Sequence, residues 1–410
     1  MSSLQLPQSR KRLKLRSLFF HVHRWLGLTA GILLCIAGLT GSILVFWHEI
    51  DHLVLAQRFG SLTPTGAPSA IAAIVETVKA AYASRNLILD SITMPENAHQ
   101  PYEVWLQDPA EHYLQVFVNS YTGQIMGDRQ WETSWAGIIY GLHYKLLAGE
   151  TGTLIMGIVA LLTLILSITG IVLWPGWRKL AAGFSIKWQH AHIKRINFDI
   201  HKVAGIITAI FLALIGFTGF AWNVPQAKVT EAIHAVTFTP QPADPVSKPI
   251  PGKQPLPIAE LMQRADAVFP NATTTYIAFP KKPEGIFTVG KRQPQESDKY
   301  GNTHIMLDQF SGQVVQLQDG VNPNRAEAII NQFGSVHFGT FGGVPTRILY
   351  VFVGLAPSVL LITGFVMWWH RKRKQNRGDR LWGLWYWEQQ PRVKANKPRA
   401  ADERKRSGHS

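Results

Sequence analysis

Two arrangements of histidine in this 410-residue chain have the residue types and spacing for chemistry. The first is Trp47-His48-Glu49-Ile50-Asp51-His52, which contains H-E-x-x-H. On a helix that pattern turns two imidazoles to one face for zinc and offers the glutamate as general base. The second comprises His23, His143, His201 and His337, each near the end of a long apolar run. Histidine is costly in a bilayer, and there it faces the bundle interior and marks a site.

The elements that must position these residues are apolar. Phe19–Trp47, Thr153–Trp174, Val203–Trp222 and Ile348–Trp369 each reach or exceed the roughly 20 residues that span about 30 Å of hydrocarbon. The net charge of +15 is not spread like a nucleic-acid surface, since 25 of 41 Lys and Arg fall in residues 1–24, 175–202 and 371–410. These are alternate flanks of four spans, so the positive-inside rule predicts both termini in the cytoplasm and two large loops outside. A bacterial inner membrane with periplasmic loops fits this arrangement, the first span reading as an uncleaved anchor. Cys35 is the only cysteine and lies within the first span, which excludes a disulfide framework, a thiolate zinc cage and an iron-sulfur cluster.

The chain is written twice. HRWLGLTAGILLCIAGLTG (His23–Gly41) aligns without a gap to HKVAGIITAIFLALIGFTG (His201–Gly219). His143 precedes Thr169-Gly170 and Trp174 by the same intervals at which His337 precedes Thr363-Gly364 and Trp368. Each half is a span, an outside domain and a second span, and the expected relation is a pseudo-twofold axis along the membrane normal. In the outside domains, Ala70–Ala83 and Ile258–Val268 have helical periodicity and precede period-2 runs. These runs end in hairpins, with Gly123 and Gly312 in the turns. The Pro-rich stretch 238–257 reads as an extended linker. The expected fold is a mainly α membrane protein of four transmembrane helices in two parallel repeats, each with an α+β module.

The His-x-x-x-Gly opening and Thr-Gly close of spans one and three, the tryptophan ends of spans two and four and the Gly-Gln hairpins resemble the PepSY-associated transmembrane family, from about residue 15 to 372. The resemblance implies PepSY-like periplasmic modules. Family members include inner-membrane dihaem reductases of iron-siderophore complexes. The expected order is a basic N-terminus (1–18), first span (19–47), first module (48–135), and ligand segment with second span (136–174). A cytoplasmic loop (175–200), third span (201–224), linker with second module (225–333), ligand segment with fourth span (334–370) and basic tail (371–410) complete it.

The repeat sets His23 against His201 near the cytoplasmic side and His143 against His337 near the outer side. Two opposed imidazoles at each of two levels suit two bis-histidine b-type haems, with small residues such as Gly27, Gly31, Gly205 and Gly141 admitting a flat ring. His21, on a different helix face from His23, and His190, His192 and His370, which lack a counterpart in the other half, rank below them at the inner level. His48, His52, His112 and His304 are likewise unpaired. The second half lacks H-E-x-x-H, so the stretch is expected to cap the helix exit and contact the module. The segment Leu381–Gln390 suits an anionic lipid interface. Trp131, Trp135 and Tyr140 suit either interfacial anchors or an outer cleft. No nucleotide-binding motif appears, so the donor is a separate cytoplasmic molecule or a quinol. Ferric siderophore, the acceptor implied by the resemblance, would release iron as Fe(II). The alternatives are a non-redox, membrane-tethered PepSY binding or protease-regulating protein and, lower, a zinc peptidase.

Overall fold

The computed structural model describes residues 8–188, 192–223 and 226–375. Among the described residues four helices are long and apolar enough to cross a membrane: α1 (Gln8–Leu44), α5 (Gly149–Leu173), α7 (Ile193–Asn223) and α12 (Val344–Gln375). At about 1.5 Å per residue each exceeds the hydrocarbon thickness of about 30 Å. Their outward faces carry bare apolar side chains, among them Ile32, Ile210 and Phe352 at 60% exposure or more, as lipid contact requires. The chain is a multi-pass membrane protein.

Small residues let the helices close on one another. A Cβ on Gly216 of α7 would stand 2.8 Å from the Ala160 carbonyl of α5, and one on Gly38 of α1 would meet the Gly354 carbonyl of α12. The Ser42 hydroxyl donates across the second contact to the Val351 carbonyl at 2.9 Å. The chain divides within α12, and from Phe365 onward its described residues form the aromatic and basic end of that helix. There Lys372 and Arg373 lie over the Trp368 and Trp369 rings.

After α1 the chain turns at Val45–Phe46 and enters α2 (Trp47–Phe59). The first module follows as α3 (Ile71–Ala81), β1 (Ile88–Thr93), β2 (Tyr102–Gln107), β3 (Tyr113–Val118) and β4 (Ile125–Gln130). A short helix, α4 (Trp135–Lys145), leads into α5. On the basic side α6 (Leu180–Phe184) precedes α7, and α8 (Gln226–Val236) follows it. The second module is α9 (Ile258–Val268), β5 (Thr273–Ala278), β6 (Ile286–Arg292), β7 (Thr303–Asp308) and β8 (Val314–Gln318). Helices α10 (Arg325–Ile330) and α11 (Gln332–Phe338) lead into α12. The linker 238–257 contains no helix or strand.

The two modules join. One eight-stranded antiparallel sheet runs in the order β4-β3-β2-β1-β5-β6-β7-β8. Each meander leaves its first strand unpaired on one side, and such an edge seeks a partner. Strands β1 and β5 supply each other, with Ile92 opposite Ile277. Alternation along the strands then makes two faces. Val104, Val116, Val289 and Ile305 point to α3 and α9 and are fully buried. The opposite face carries Glu103, Trp105, Gln115 and Arg129, and α2 packs on it through Phe59 against Phe117 at 5.4 Å.

Candidate functional site

The four histidines each meet a Thr-Gly step on another helix. His23 of α1 bonds through Nδ1 to Thr169 Oγ1 of α5 at 2.9 Å, and His201 of α7 to Thr363 Oγ1 of α12 at 2.8 Å. His143 of α4 reaches Thr40 Oγ1 of α1 at 3.1 Å, and His337 of α11 reaches Thr218 Oγ1 of α7 at 2.8 Å. Every one of these threonines already donates its hydroxyl hydrogen to a carbonyl one turn back: Ile165, Val359, Ile36 and Leu214 respectively. The hydroxyl can therefore only accept, and the imidazole Nδ1–H is the donor. His143 shows the same tautomer independently, because its Nδ1 also faces the Ala37 carbonyl at 3.0 Å. Nε2 is left with its lone pair, and among the described residues it bonds no protein group in any of the four rings.

The glycine of each step makes room for the ring. A Cβ on Gly170, Gly364, Gly41 or Gly219 would lie 3.3, 3.5, 3.1 or 3.4 Å from Cε1 of His23, His201, His143 or His337. The glycines singled out in the sequence lie against leucines. Gly27, Gly31 and Gly205 face Leu166, Leu361 and Leu360, and Gly141 faces Leu147.

The structure brings the rings together as two pairs. His23 and His201 have centroids 6.3 Å apart with planes at 87°, and His143 and His337 are 6.2 Å apart at 74°. A metal bonded to one nitrogen of each ring at about 2.0 Å, with about 1.1 Å from nitrogen to centroid, separates the centroids by about 6.2 Å. Both pairs have the centroid spacing that two imidazoles sharing one metal ion would need. Along α1, His23 and the Thr40 seat of His143 stand about 25 Å apart at the rise of an α-helix.

The H-E-x-x-H stretch brings its two rings to 6.4 Å, but its three side chains are bonded elsewhere. Glu49 makes a forked pair with Arg347 of α12 at 2.5 and 2.8 Å, and the hydrogen bonds from Arg347 pull its carboxyl down to about 2. His48 Nε2 bonds the Tyr300 hydroxyl at 3.0 Å, and His52 Nδ1 bonds the Gln100 amide at 2.8 Å. Among the described residues no three His, Cys, Asp or Glu side chains gather as a metal-binding set. The stretch opens α2 instead, and its Asp51 accepts a forked bond from Arg129 of β4 and a third from Trp135 Nε1 at 3.0 Å.

His21 is exposed and bonds the Ser17 carbonyl at 2.7 Å. His112 pairs with Asp108, and His304 with the Tyr276 hydroxyl. His370 lines a shallow hollow with Phe365, Val366 and Trp369, and the His192 carbonyl accepts from Arg195 at the start of α7. His190 and the segment Leu381–Gln390 lie outside the described residues.

A feature that sequence reasoning missed lies between α2 and the sheet. A cavity of about 300 Å³ is lined by Trp47, His48, His52, Glu96, Glu103, Trp105 and Tyr300, among others. Burial lowers His48 to about 4 and lowers His52 from its ordinary value, so both rings are neutral at pH 7. Trp47 and Trp105 both touch Trp131, at 5.7 and 5.3 Å, and Trp131 lies 6.4 Å from Tyr140. Tyr140 sits one turn before His143 on α4, so ring contacts run from the cavity to the helix of the second histidine pair.

The fold and these seats define a membrane bundle with two histidine pairs beneath one shared sheet. The chain belongs to the family described as the PepSY-associated TM region, whose model matches residues 20–371. No curated protein matches the sequence.

Proposed function

We propose that this chain is a transmembrane dihaem b oxidoreductase that passes electrons to a ferric siderophore. The carrying observation is the histidine geometry. All four rings give Nδ1–H to a threonine, keep Nε2 open, and face a partner ring at 6.3 or 6.2 Å. Bound haem would supply reversible one-electron transfer at iron. His23 and His201 would hold one haem, and His143 and His337 the other. The threonines fix tautomer and ring rotation, and by accepting Nδ1–H they raise the basicity of Nε2.

The direction follows from what each side carries. We place the sheet in the periplasm of a bacterial inner membrane and both termini in the cytoplasm, on the charge distribution of the spans. The two halves are then related by a pseudo-twofold axis along the membrane normal. Among the described residues between the spans, the cytoplasmic side carries little beyond α6, and the sequence holds no nucleotide-binding motif, so the donor is a separate cytoplasmic molecule or a quinol. The acceptor meets the sheet side, and one electron per iron converts Fe(III) to Fe(II), which hard oxygen ligands hold less firmly.

The test starts from the full-length protein after haem-supplemented expression. A pyridine haemochrome assay should give about two haems per chain, and less than about 0.3 would exclude the assignment. His143→Ala or His337→Ala should remove one spectral signature, and His23→Ala or His201→Ala the other. In oriented vesicles with a cytoplasmic-face donor and a ferrous-iron trap opposite, all four should lose chelate reduction. Only the His143 and His337 variants should still accept electrons from the donor. Retention of both haems and full activity in those two would mean that other side chains are the ligands.

A further inference from the structure

The cavity between α2 and the sheet has a charge left over. Four carboxylates stand in or beside it, and three are matched. Glu49 pairs with Arg347, Asp51 with Arg129, and Glu96 with Lys299 at 2.7 Å. Glu103 has no cationic partner of its own among the described residues. It takes a neutral amide bond from Gln115 Nε2 at 2.7 Å, while the nearest guanidinium, Arg129, is committed to Asp51. Its carboxylate lines the cavity, and burial pushes its protonation up to about 7. His48 and His52 add no charge.

The walls are aromatic. Trp47, Trp105 and Tyr300 present rings to the space, and a cation over such a ring is attracted by its quadrupole. The rim already holds this arrangement once, with Lys299 Nζ 4.5 Å from the Tyr300 centroid and bonded to Glu96. A volume of about 300 Å³ corresponds to about ten waters at roughly 30 Å³ each, room for an alkyl chain as well as its charged end.

We propose that this cavity is a binding site for an organic cation, an alkylammonium group seated between the tryptophans with its charge on Glu103. A bare metal ion suits it less, because His48 and His52 already commit nitrogens to Tyr300 and Gln100 and no three donors converge. An anion would meet an unmatched carboxylate. Ring contacts lead from this cavity to Tyr140 on α4, so a bound molecule lies at the approach to the His143–His337 pair. The binding site itself stands apart from the redox reading and can fail separately from it.

The test is calorimetric titration of the full-length protein, as purified in neutral detergent, at pH 8. The probes are n-pentylammonium chloride, n-pentanol and zinc chloride, each with a protein-free micelle blank. Pentylammonium should bind at least tenfold more tightly than pentanol. Glu103→Gln should weaken pentylammonium at least tenfold and leave pentanol within about twofold. Trp105→Leu should weaken both. Unchanged absorbance spectra and a retained cooperative melting transition in the variants will exclude misfolding, with Trp47→Phe as a second wall variant if Trp105→Leu melts early. Equal binding of pentylammonium to Glu103→Gln and the parent chain would overturn the proposal, as would equal binding of pentanol and pentylammonium. Stoichiometric zinc that blocks pentylammonium would reassign the cavity as a metal site.

Discussion

Replacing Thr169 with Val removes the hydroxyl that accepts from His23 Nδ1 while keeping the side-chain volume. Loss of such a partner costs about 10–100-fold in affinity for the bound metal group. Thr169→Val should therefore lower haem retention at the His23–His201 level on dilution and shift its midpoint potential. The His143–His337 signature should stay in place, and redox titration of the purified variant reads both. The four histidines were legible in the sequence because they recur at fixed intervals. The job of Thr-Gly was not, because Thr169 and His23 lie 146 residues apart and meet only through helix packing. In the sequence Thr-Gly marked a repeat, and in the structure it is the seat of a ring. Glu103 was silent for the same reason, since nothing local distinguishes it from a solvated strand carboxylate. With its folded pKa raised from 4.5 to about 7, its protonated form is favoured by folding. Its contribution is full below pH 4.5 and is lost as pH rises through 7. The melting temperature of Glu103→Gln should therefore gain on that of the parent chain between pH 5 and pH 8, and a constant difference would show that Glu103 is solvated.

Helix α2 shows how an element can carry a motif for a purpose other than its signature. The letters of H-E-x-x-H are present, but the strongest bond of the segment belongs to Asp51, which the motif leaves unspecified. Asp51 is 2% exposed and binds Arg129 and Trp135, whereas the carboxylate of Glu49 is half in solvent. Removing one partner of a buried pair costs about 3–5 kcal/mol, and an exposed pair contributes about 1 kcal/mol or less. Asp51→Asn should lower the melting temperature sharply. Glu49→Gln should lower it slightly and leave haem content and electron transfer unchanged. Differential scanning fluorimetry of the two variants decides between them. Helix spans, α3 and α9 were visible as periodicity, which depends only on neighbours a few residues apart. The turn that separates α2 from α1 falls inside an apolar run and carries no glycine or proline, so hydropathy alone extended the first span to Trp47.

At the scale of the molecule, the sequence presents two copies of one plan, and the structure adds a join between them. Nothing in the pattern of β1 announces β5 as its partner, since any edge strand of suitable length satisfies the same hydrogen-bonding need. The consequence is mechanical. Bundles made of two similar halves are the frame on which secondary transporters rock to expose a central site alternately on either side. Here rocking would tear a β ladder, because Met94 N–H bonds the Thr275 carbonyl at 2.9 Å and Phe279 N–H bonds the Asp90 carbonyl at 2.8 Å across the two halves. Ile71, Met94, Ile258 and Phe279 also pack into both module cores. The join acts as a brace that suits a conductor of electrons, which needs constant distances, and defeats a carrier of solutes, which needs changing ones. Ser91 and Ala278 face each other across it as a non-hydrogen-bonded pair, the spacing that accepts a cross-strand disulfide. Oxidising the Ser91→Cys/Ala278→Cys variant should leave the rate of electron transfer unchanged within about twofold of its reduced form. A rate that collapses on oxidation and returns with a thiol would mean that the halves part during turnover and that the brace is a hinge.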